Sequence, residues 1–303
     1  MRDGKFRMVV FGDSVNWGQG LAESDKFYSL VAQGLAERDG GPLPEIKVLA
    51  HSAAIIGAHV TTNQGALDPE VPTPYPTIMQ QVNGFTDAPE TVDLVLLNGG
   101  INDVDIRDLL NPLTDAASLR DWIEAHCHAD MRTLLDNVTG KFTLPTARIV
   151  VTGYYLVLSE KSDPKCFEPL LNAIGAPWLD YMGDEFLKLG IDNVVKNCAI
   201  FYQDSTAALQ NAVEDANATA GGRIKFVDPG FGPENSAFAE PAWVFGVDGV
   251  DFSPQDEVIA SRHVACDNCQ PNLALRWICY RASAGHPNAL GAKQYAKQIL
   301  ANL

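Results

Sequence analysis

Short apolar runs closed by glycine alternate along the chain with longer stretches whose apolar residues recur at helical spacing. Met8-Val9-Val10-Phe11, ending in Gly12-Asp13, predicts a buried strand and a turn. Phe27, Leu30, Val31 and Leu35 then recur at three- and four-residue intervals until Gly40-Gly41, which predicts a helix. Further strands are predicted at Ile46 to Ala50, Asp93 to Asn98, Arg148 to Thr152 and Arg223 to Val227. Helical periodicity covers about Ala116 to Leu135 and about Ser205 to Ala218. A last helix begins near Asn288 with Ala292, Tyr295, Ala296 and Ile299 facing inward.

Strands that are apolar throughout, separated by amphipathic helices, imply a parallel sheet covered on both faces: an α/β fold of three layers, α/β/α. The alternation fails in two places. Residues 154–202 and 229–280 are rich in aromatics, Gly and Pro, and read as insertions near the carboxyl ends of the strands within one domain of 303 residues. Ligands in such folds sit beyond those ends.

Composition narrows the function classes. Hydrophobic residues at 46% and charged residues at 20% are ordinary for a globular domain. A formal net charge of -16 repels phosphate backbones and anionic lipid head groups, so nucleic acid is not an expected partner. No apolar run approaches the roughly 20 residues that span a bilayer. No secretory leader is legible at the N-terminus, which leaves a cytoplasmic or a processed, exported protein. Six cysteines allow disulfides or free thiols, and at least one bond is expected in the loop-rich stretch between Cys266 and Cys279. His263, Cys266 and Cys269 have tolerable zinc spacing without an evident fourth ligand, so neither metal nor cofactor is expected. The Asn137-Val138-Thr139 and Asn217-Ala218-Thr219 sequons fall in predicted helices and read as chance.

Candidate chemistry sits at the strand ends. Gly12-Asp13-Ser14 would hold a serine exposed behind a tight turn, where a base could activate it. Asn102, in Gly100-Ile101-Asn102-Asp103, could aim an amide N–H at a developing oxyanion. Gly57 could offer an unobstructed backbone N–H to the same charge. His286 precedes Pro287 and the last helix, placed to reach back toward Ser14. Each motif alone is equally a turn, a cap or a surface histidine. Their occurrence together and in this order resembles the GDSL, or SGNH, hydrolases, from Phe11 to the C-terminus.

The resemblance implies a flavodoxin-like fold and hydrolysis of acyl esters without a metal. It implies Ser14 as nucleophile, His286 as base, and Ser14, Gly57 and Asn102 as oxyanion donors. The substrates it implies are small-molecule, lipid or acylated-carbohydrate esters. An acyltransferase or thioesterase on the same fold, and a binding protein without catalysis, are the alternatives. The last has one motive: where the family has an aspartate three residues before its histidine, this chain has Ser283. A backbone carbonyl in the Arg276 to Ala282 segment is the expected substitute. Asp248, Asp251 or Asp267 reaching in from the insertion is the other option. Trp17, Tyr154, Tyr155, Trp243, Phe245 and Phe252 are candidate pocket walls.

Overall fold

The structure, a computed structural model, describes residues 4–62, 64, 67–166, 184–247 and 256–303, with 184–188 described by backbone alone. Strand β1 (Arg7–Val10) leads into a one-turn helix, α1 (Ser14–Trp17), and then α2 (Phe27–Asp39). Strand β2 (Glu45–Val48), α3 (Ile78–Gly84) and β3 (Leu94–Leu97) follow. Two further one-turn helices, α4 (Ile101–Val104) and α5 (Ile106–Leu109), precede α6 (Ala116–Ile123). A π-helical stretch, Glu124–Asp130, joins α6 to α7 (Met131–Lys141). The chain continues through β4 (Arg148–Thr152), α8 (Asp184–Ala220), β5 (Ile224–Val227), α9 (Ile259–Cys269), α10 (Leu273–Tyr280) and α11 (Ala289–Asn302).

All five strands are parallel and ordered β2-β1-β3-β4-β5. This is the flavodoxin-like order, in which the connections change direction between β1 and β3. The sequence explains the placing. Leu94, Val95, Leu96 and Leu97 of β3 are fully buried, as a strand covered on both faces must be. Edge strand β2 instead alternates exposed Glu45 and Lys47 with Ile46 and Val48, and its charges discourage pairing with another chain. Helices α2 and α11 pack together as one layer, and α6, α7 and α8 as the other. Phe11, Phe85 and Phe142 form an aromatic cluster in the core, with ring centroids 5.6 to 6.0 Å apart.

The five predicted strands and the last helix match the structure to within two residues. Two differences have physical causes. The helix predicted over Ser205 to Ala218 is only the second half of α8, which starts inside the presumed first insertion. Its buried positions there include Val194, Asn197, Cys198, Ile200 and Phe201, and its later ones are mostly alanine. With Asn197 buried and Leu189 exposed, the amphipathic contrast on which periodicity depends is flattened. The second insertion contains two helices, α9 and α10, joined by a disulfide between Cys266 and Cys279 as expected. That bond removes Cys266 from any zinc site, and His263 packs instead on the Tyr280 ring. Among the described residues no helix is long and apolar enough to cross a membrane.

Candidate active site

The loop after β1 is held from all sides. Gly12 has φ +140°, and a Cβ there would collide with Asn98 Oδ1, so only glycine fits. The Gly12 N–H donates to Gln81 Oε1 at 2.9 Å, and its carbonyl accepts from Gln81 Nε2 at 3.0 Å. Asp13 caps α1 from a fully buried position, accepting from the Val15 N–H, Asn98 Nδ2 and the Tyr154 hydroxyl at 2.7 to 2.8 Å. Burial pushes the Asp13 carboxyl up from its ordinary range, and these three donors oppose the shift. Ser14 is therefore the first residue of a rigidly seated helical turn. Among the described residues its N–H meets no protein acceptor, as expected for a first-turn amide.

Ser14 Oγ lies 2.7 Å from His286 Nε2. The histidine loop is braced by backbone bonds from Gly285 N to Phe245 O and from Phe245 N to His286 O, both 2.8 Å. The Tyr155 hydroxyl donates to Gly285 O at 2.7 Å. The imidazole is pushed down to about 4, first by burial and also by the positive charge of Arg262, so it stands neutral and able to accept a proton. Its Nδ1 faces the carbonyl of Ala284 at 3.3 Å. A backbone carbonyl thus occupies the orienting position, but it comes from Ala284 and not from the 276–282 segment expected. A γ-turn-sized loop beside the histidine was enough.

Of the three acids considered, Asp267 lies on α9 and bonds to the Tyr280 hydroxyl and Arg276. Asp248 and Asp251 lie outside the described residues. Among the described residues, an acid that sequence reasoning missed bonds to the histidine loop. Asp256, with its side chain fully buried, accepts from Ser283 Oγ at 2.5 Å and from Arg262 Nη1 and Nη2 at 2.8 and 2.6 Å. Arg262 also donates to Ser283 Oγ at 3.2 Å and to Glu70 Oε2 at 3.2 Å. Glu70 in turn accepts from Trp17 Nε1 at 2.9 Å and Gln19 Nε2 at 2.6 Å. One buried charged network therefore runs from the end of the nucleophile helix to the histidine loop. The Asp256–Arg262 separation matches no helical or strand repeat, so no sequence signal pointed to it.

Asn102 stands on α4 and donates one amide hydrogen to Ala54 O at 3.1 Å, leaving the second for other acceptors. Gly57 does not join Ser14 and Asn102. It has φ +67° and packs on Thr77, and its N–H, with that of Ile56, donates to the Asp103 carboxylate. The residues of this segment that line the pocket are Ser52 and Ala53, and the Ala53 φ of +60° is strained for a side chain. The Ala53 N–H has no protein acceptor among the described residues. Gly57 and Ala53 both have left-handed backbone, and only the first is marked by a glycine in the sequence.

Ser14, Ala53, Asn102 and His286 share a cavity of about 200 Å³ at the point where the sheet connections reverse. Its walls are largely apolar and include Val15, Ile106, Leu110, Tyr155 and Ile278. Of the candidate wall aromatics, Tyr155 lines it and Tyr154 lies buried beneath. Trp17 packs under Lys26, Trp243 against Phe231, and Phe245 borders a separate hollow. Phe252 lies outside the described residues. Asp103, His126 and Asp130 bring potential ligand atoms within 4.8 Å of one another. Bonds within the protein already engage them, the two backbone N–H groups on Asp103 and a 2.8 Å contact between His126 Nδ1 and Asp130.

No protein-family model and no curated protein sequence matches the chain. Solved structures do. The chain is similar to phospholipase A1 from Streptomyces albidoflavus NA297, with a TM-score of 0.50 and 14% identity over 99% of each chain. It is also similar to the lipase Lip_vut3 from a goat rumen metagenome, with a TM-score of 0.46 and 13% identity over 98% of this chain and 97% of that one. At such identities the first likeness is one of fold, and the three-layer α/β/α arrangement is the one the sequence resemblance implied.

Proposed function

We propose that the chain is a serine hydrolase of carboxylic esters, of the GDSL/SGNH kind, working through an acyl-enzyme on Ser14. The observation that carries this reading is the 2.7 Å contact between Ser14 Oγ and a neutral His286 Nε2 inside an apolar cavity. A binding protein derived from such a fold has no need of a desolvated imidazole aimed at a serine. The ester-cleaving functions of the two similar folds agree with the reading at the level of the fold.

In the first half-reaction His286 Nε2 takes the hydroxyl proton as Ser14 Oγ attacks the ester carbonyl. Charge then develops on the carbonyl oxygen. The donors available to it are the Ser14 N–H, the second amide hydrogen of Asn102, and the N–H of Ala53, which we assign in place of Gly57. The imidazolium returns its proton to the leaving alcohol. Water repeats the sequence on the acyl-enzyme and frees the acid. The Ala284 carbonyl fixes the tautomer by accepting Nδ1–H throughout, so the working unit is a Ser-His dyad.

The test is hydrolysis of p-nitrophenyl esters of increasing acyl length by wild type, Ser14→Ala and His286→Ala, with fluorophosphonate labelling read by mass spectrometry. Turnover lost in both variants, with the label on Ser14 in wild type, is the expected result. Full activity in Ser14→Ala would overturn the assignment.

A further inference from the structure

The π-helical stretch between α6 and α7 brings two metal-ligand residue types together. Within Glu124–Asp130, His126 and Asp130 meet with Nδ1 and Oδ2 2.8 Å apart. Single π-turns inside longer helices occur often at functional sites. Asp103, on α4, adds a second carboxylate. One donor atom from each of Asp103, His126 and Asp130 lies within 4.8 Å of the others. A fourth donor comes from the loop after β2, where His59 Nε2 stands 3.5 Å from Asp130 Oδ1. Four side chains from three separate parts of the chain thus converge, and half of their donors are imidazole.

Charge points to a cation. Among the described residues neither Asp103 nor Asp130 is paired with a lysine or an arginine, and Asp130 acts on Asp103 as a like charge. The two negative charges match one divalent ion. The bonds already present suit it. Asp103 accepts the Ile56 N–H at 3.0 Å on each oxygen, and the Gly57 N–H as well. These donors orient the carboxylate and leave lone pairs unused, as partners behind a metal ligand do. The His126–Asp130 contact holds a single proton, which a metal ion displaces without leaving either group unpaired.

The donor set selects the ion. Calcium and magnesium take oxygen ligands, whereas two imidazole nitrogens with two carboxylate oxygens suit zinc. With bonds of about 2.0–2.2 Å, the donors of a tetrahedral zinc site stand about 3.3–3.5 Å apart. His59 and Asp130 already have that separation, and the His126–Asp130 contact needs to open by roughly half an ångström.

We propose that Asp103, His126, Asp130 and His59 form a binding site for a divalent transition-metal ion, zinc above all. Asp103 follows Asn102 and holds the N–H groups of Ile56 and Gly57, so the ion would tie the loop after β2, α4 and the π-helical stretch together. None of the four residues lines the cavity of Ser14 and His286. The site is therefore a brace and takes no part in ester cleavage, and the proposal does not rest on the hydrolase reading.

The experiment uses the full chain, treated with EDTA and then freed of it, with zinc chloride as the probe. Calorimetric titration is expected to show a single zinc bound in the micromolar range or tighter. Zinc should raise the melting temperature by several degrees, and calcium chloride should not. Cobalt(II) in its place should give the intense visible bands of a four-coordinate site. An outer-shell partner is typically worth about 10–100-fold in metal affinity, so His126→Ala and Asp130→Ala should each weaken zinc binding at least that much. His59→Ala keeps the test open if those variants do not fold, because that side chain is 85% exposed, and it should weaken binding about tenfold or more. His128→Ala is the control: this histidine of the same stretch turns to Glu124 and Asp215, and its loss should leave zinc affinity unchanged. No heat and no rise in melting temperature with zinc would overturn the proposal. So would zinc binding that survives intact in His59→Ala and His126→Ala, or calcium raising the melting temperature as much as zinc.

Discussion

Ser283 donates its hydroxyl hydrogen to Asp256 across 2.5 Å, at the position where the hydrolases that the sequence resembles carry an aspartate. The acid of this region has not vanished. It sits one residue-contact further back, neutralised by Arg262. That placing explains why the imidazole is not held up by a negative charge. Asp256 is paired with a guanidinium whose own field lowers the histidine.

An aspartate at position 283 should therefore harm the protein. In Ser283→Asp a new carboxylate would face Asp256 in a fully buried site where one arginine already serves Asp256 and Glu70. An uncompensated buried charge costs on the order of 3–5 kcal/mol. We expect Ser283→Asp to lose about that much stability in urea unfolding. The exchange variant Ser283→Asp with Asp256→Ser keeps one carboxylate beside Arg262 and should recover most of it. A Ser283→Asp protein as stable as wild type would show that the site accommodates a second carboxylate.

The pH dependence has a definite sign. His286 is depressed from 6.5 to about 4 in the folded protein, so the base stays neutral well below the ordinary histidine range. The acid limb of kcat/KM for a soluble ester should fall through about pH 4, with a plateau above about pH 5. Between about 4 and 6.5 the unfolded chain binds the histidine proton more readily than the folded one. Stability contributed by this group is thus lost as pH falls through that window. A separate inflection near 6 would belong to Asp103, which burial raises to about 6, and Asp103→Asn would remove it. A main acid limb near 6.5 would mean that His286 is solvated.

The oxyanion assignment separates three neighbouring positions. Asn102→Ala removes a donor whose effect is felt in the transition state, so kcat should drop about 10²–10³-fold with little change in KM. Ala53→Gly keeps the N–H and relieves the left-handed strain at φ +60°, so activity should persist with stability unchanged or slightly higher. Gly57→Ala places a Cβ 2.5 Å from that of Thr77 at φ +67°, so it should destabilise without a specific loss of kcat in the protein that remains folded. Steady-state kinetics beside thermal melts distinguish the three. A selective kcat loss in Gly57→Ala with unchanged melting would return the donor role to Gly57.

What the sequence made legible follows from where the information is local. Strands β1, β3 and β4 are buried on both faces, so their apolar runs have no alternative reading. Gly12 is dictated by a single collision with Asn98 and announces its turn. Ala53 occupies a glycine-like backbone position without being glycine, which no local pattern reveals. Asp256, Arg262 and Glu70 meet only through the fold, from segments 192 residues apart in the case of Arg262 and Glu70. The first half of α8 hides because Leu189 is exposed while Asn197 is buried, which blurs its amphipathic contrast.

Tyr154 supplies the remaining prediction, because its hydroxyl joins the two loops that carry the reacting groups. It donates to Asp13 Oδ2 at 2.8 Å and accepts from the Ile101 N–H at 3.2 Å, one residue from Ser14 on one side and from Asn102 on the other. Tyr154→Phe keeps the ring and its packing on Phe201 but strips a donor from a buried carboxylate and an acceptor from a helix N-terminus. Each unsatisfied group costs about 1–3 kcal/mol, so the variant should melt measurably lower. Both loops would relax together, so kcat should fall about tenfold or more as Ser14 and Asn102 lose their mutual register, since small misplacements are expensive in the transition state. Tyr155→Phe is the control: it frees only the Gly285 carbonyl, beside His286, and leaves the Asp13 network whole. Equal kinetic losses in the two variants, or none in Tyr154→Phe despite a lower melting point, would show that the hydroxyl stabilises the fold without aligning the site.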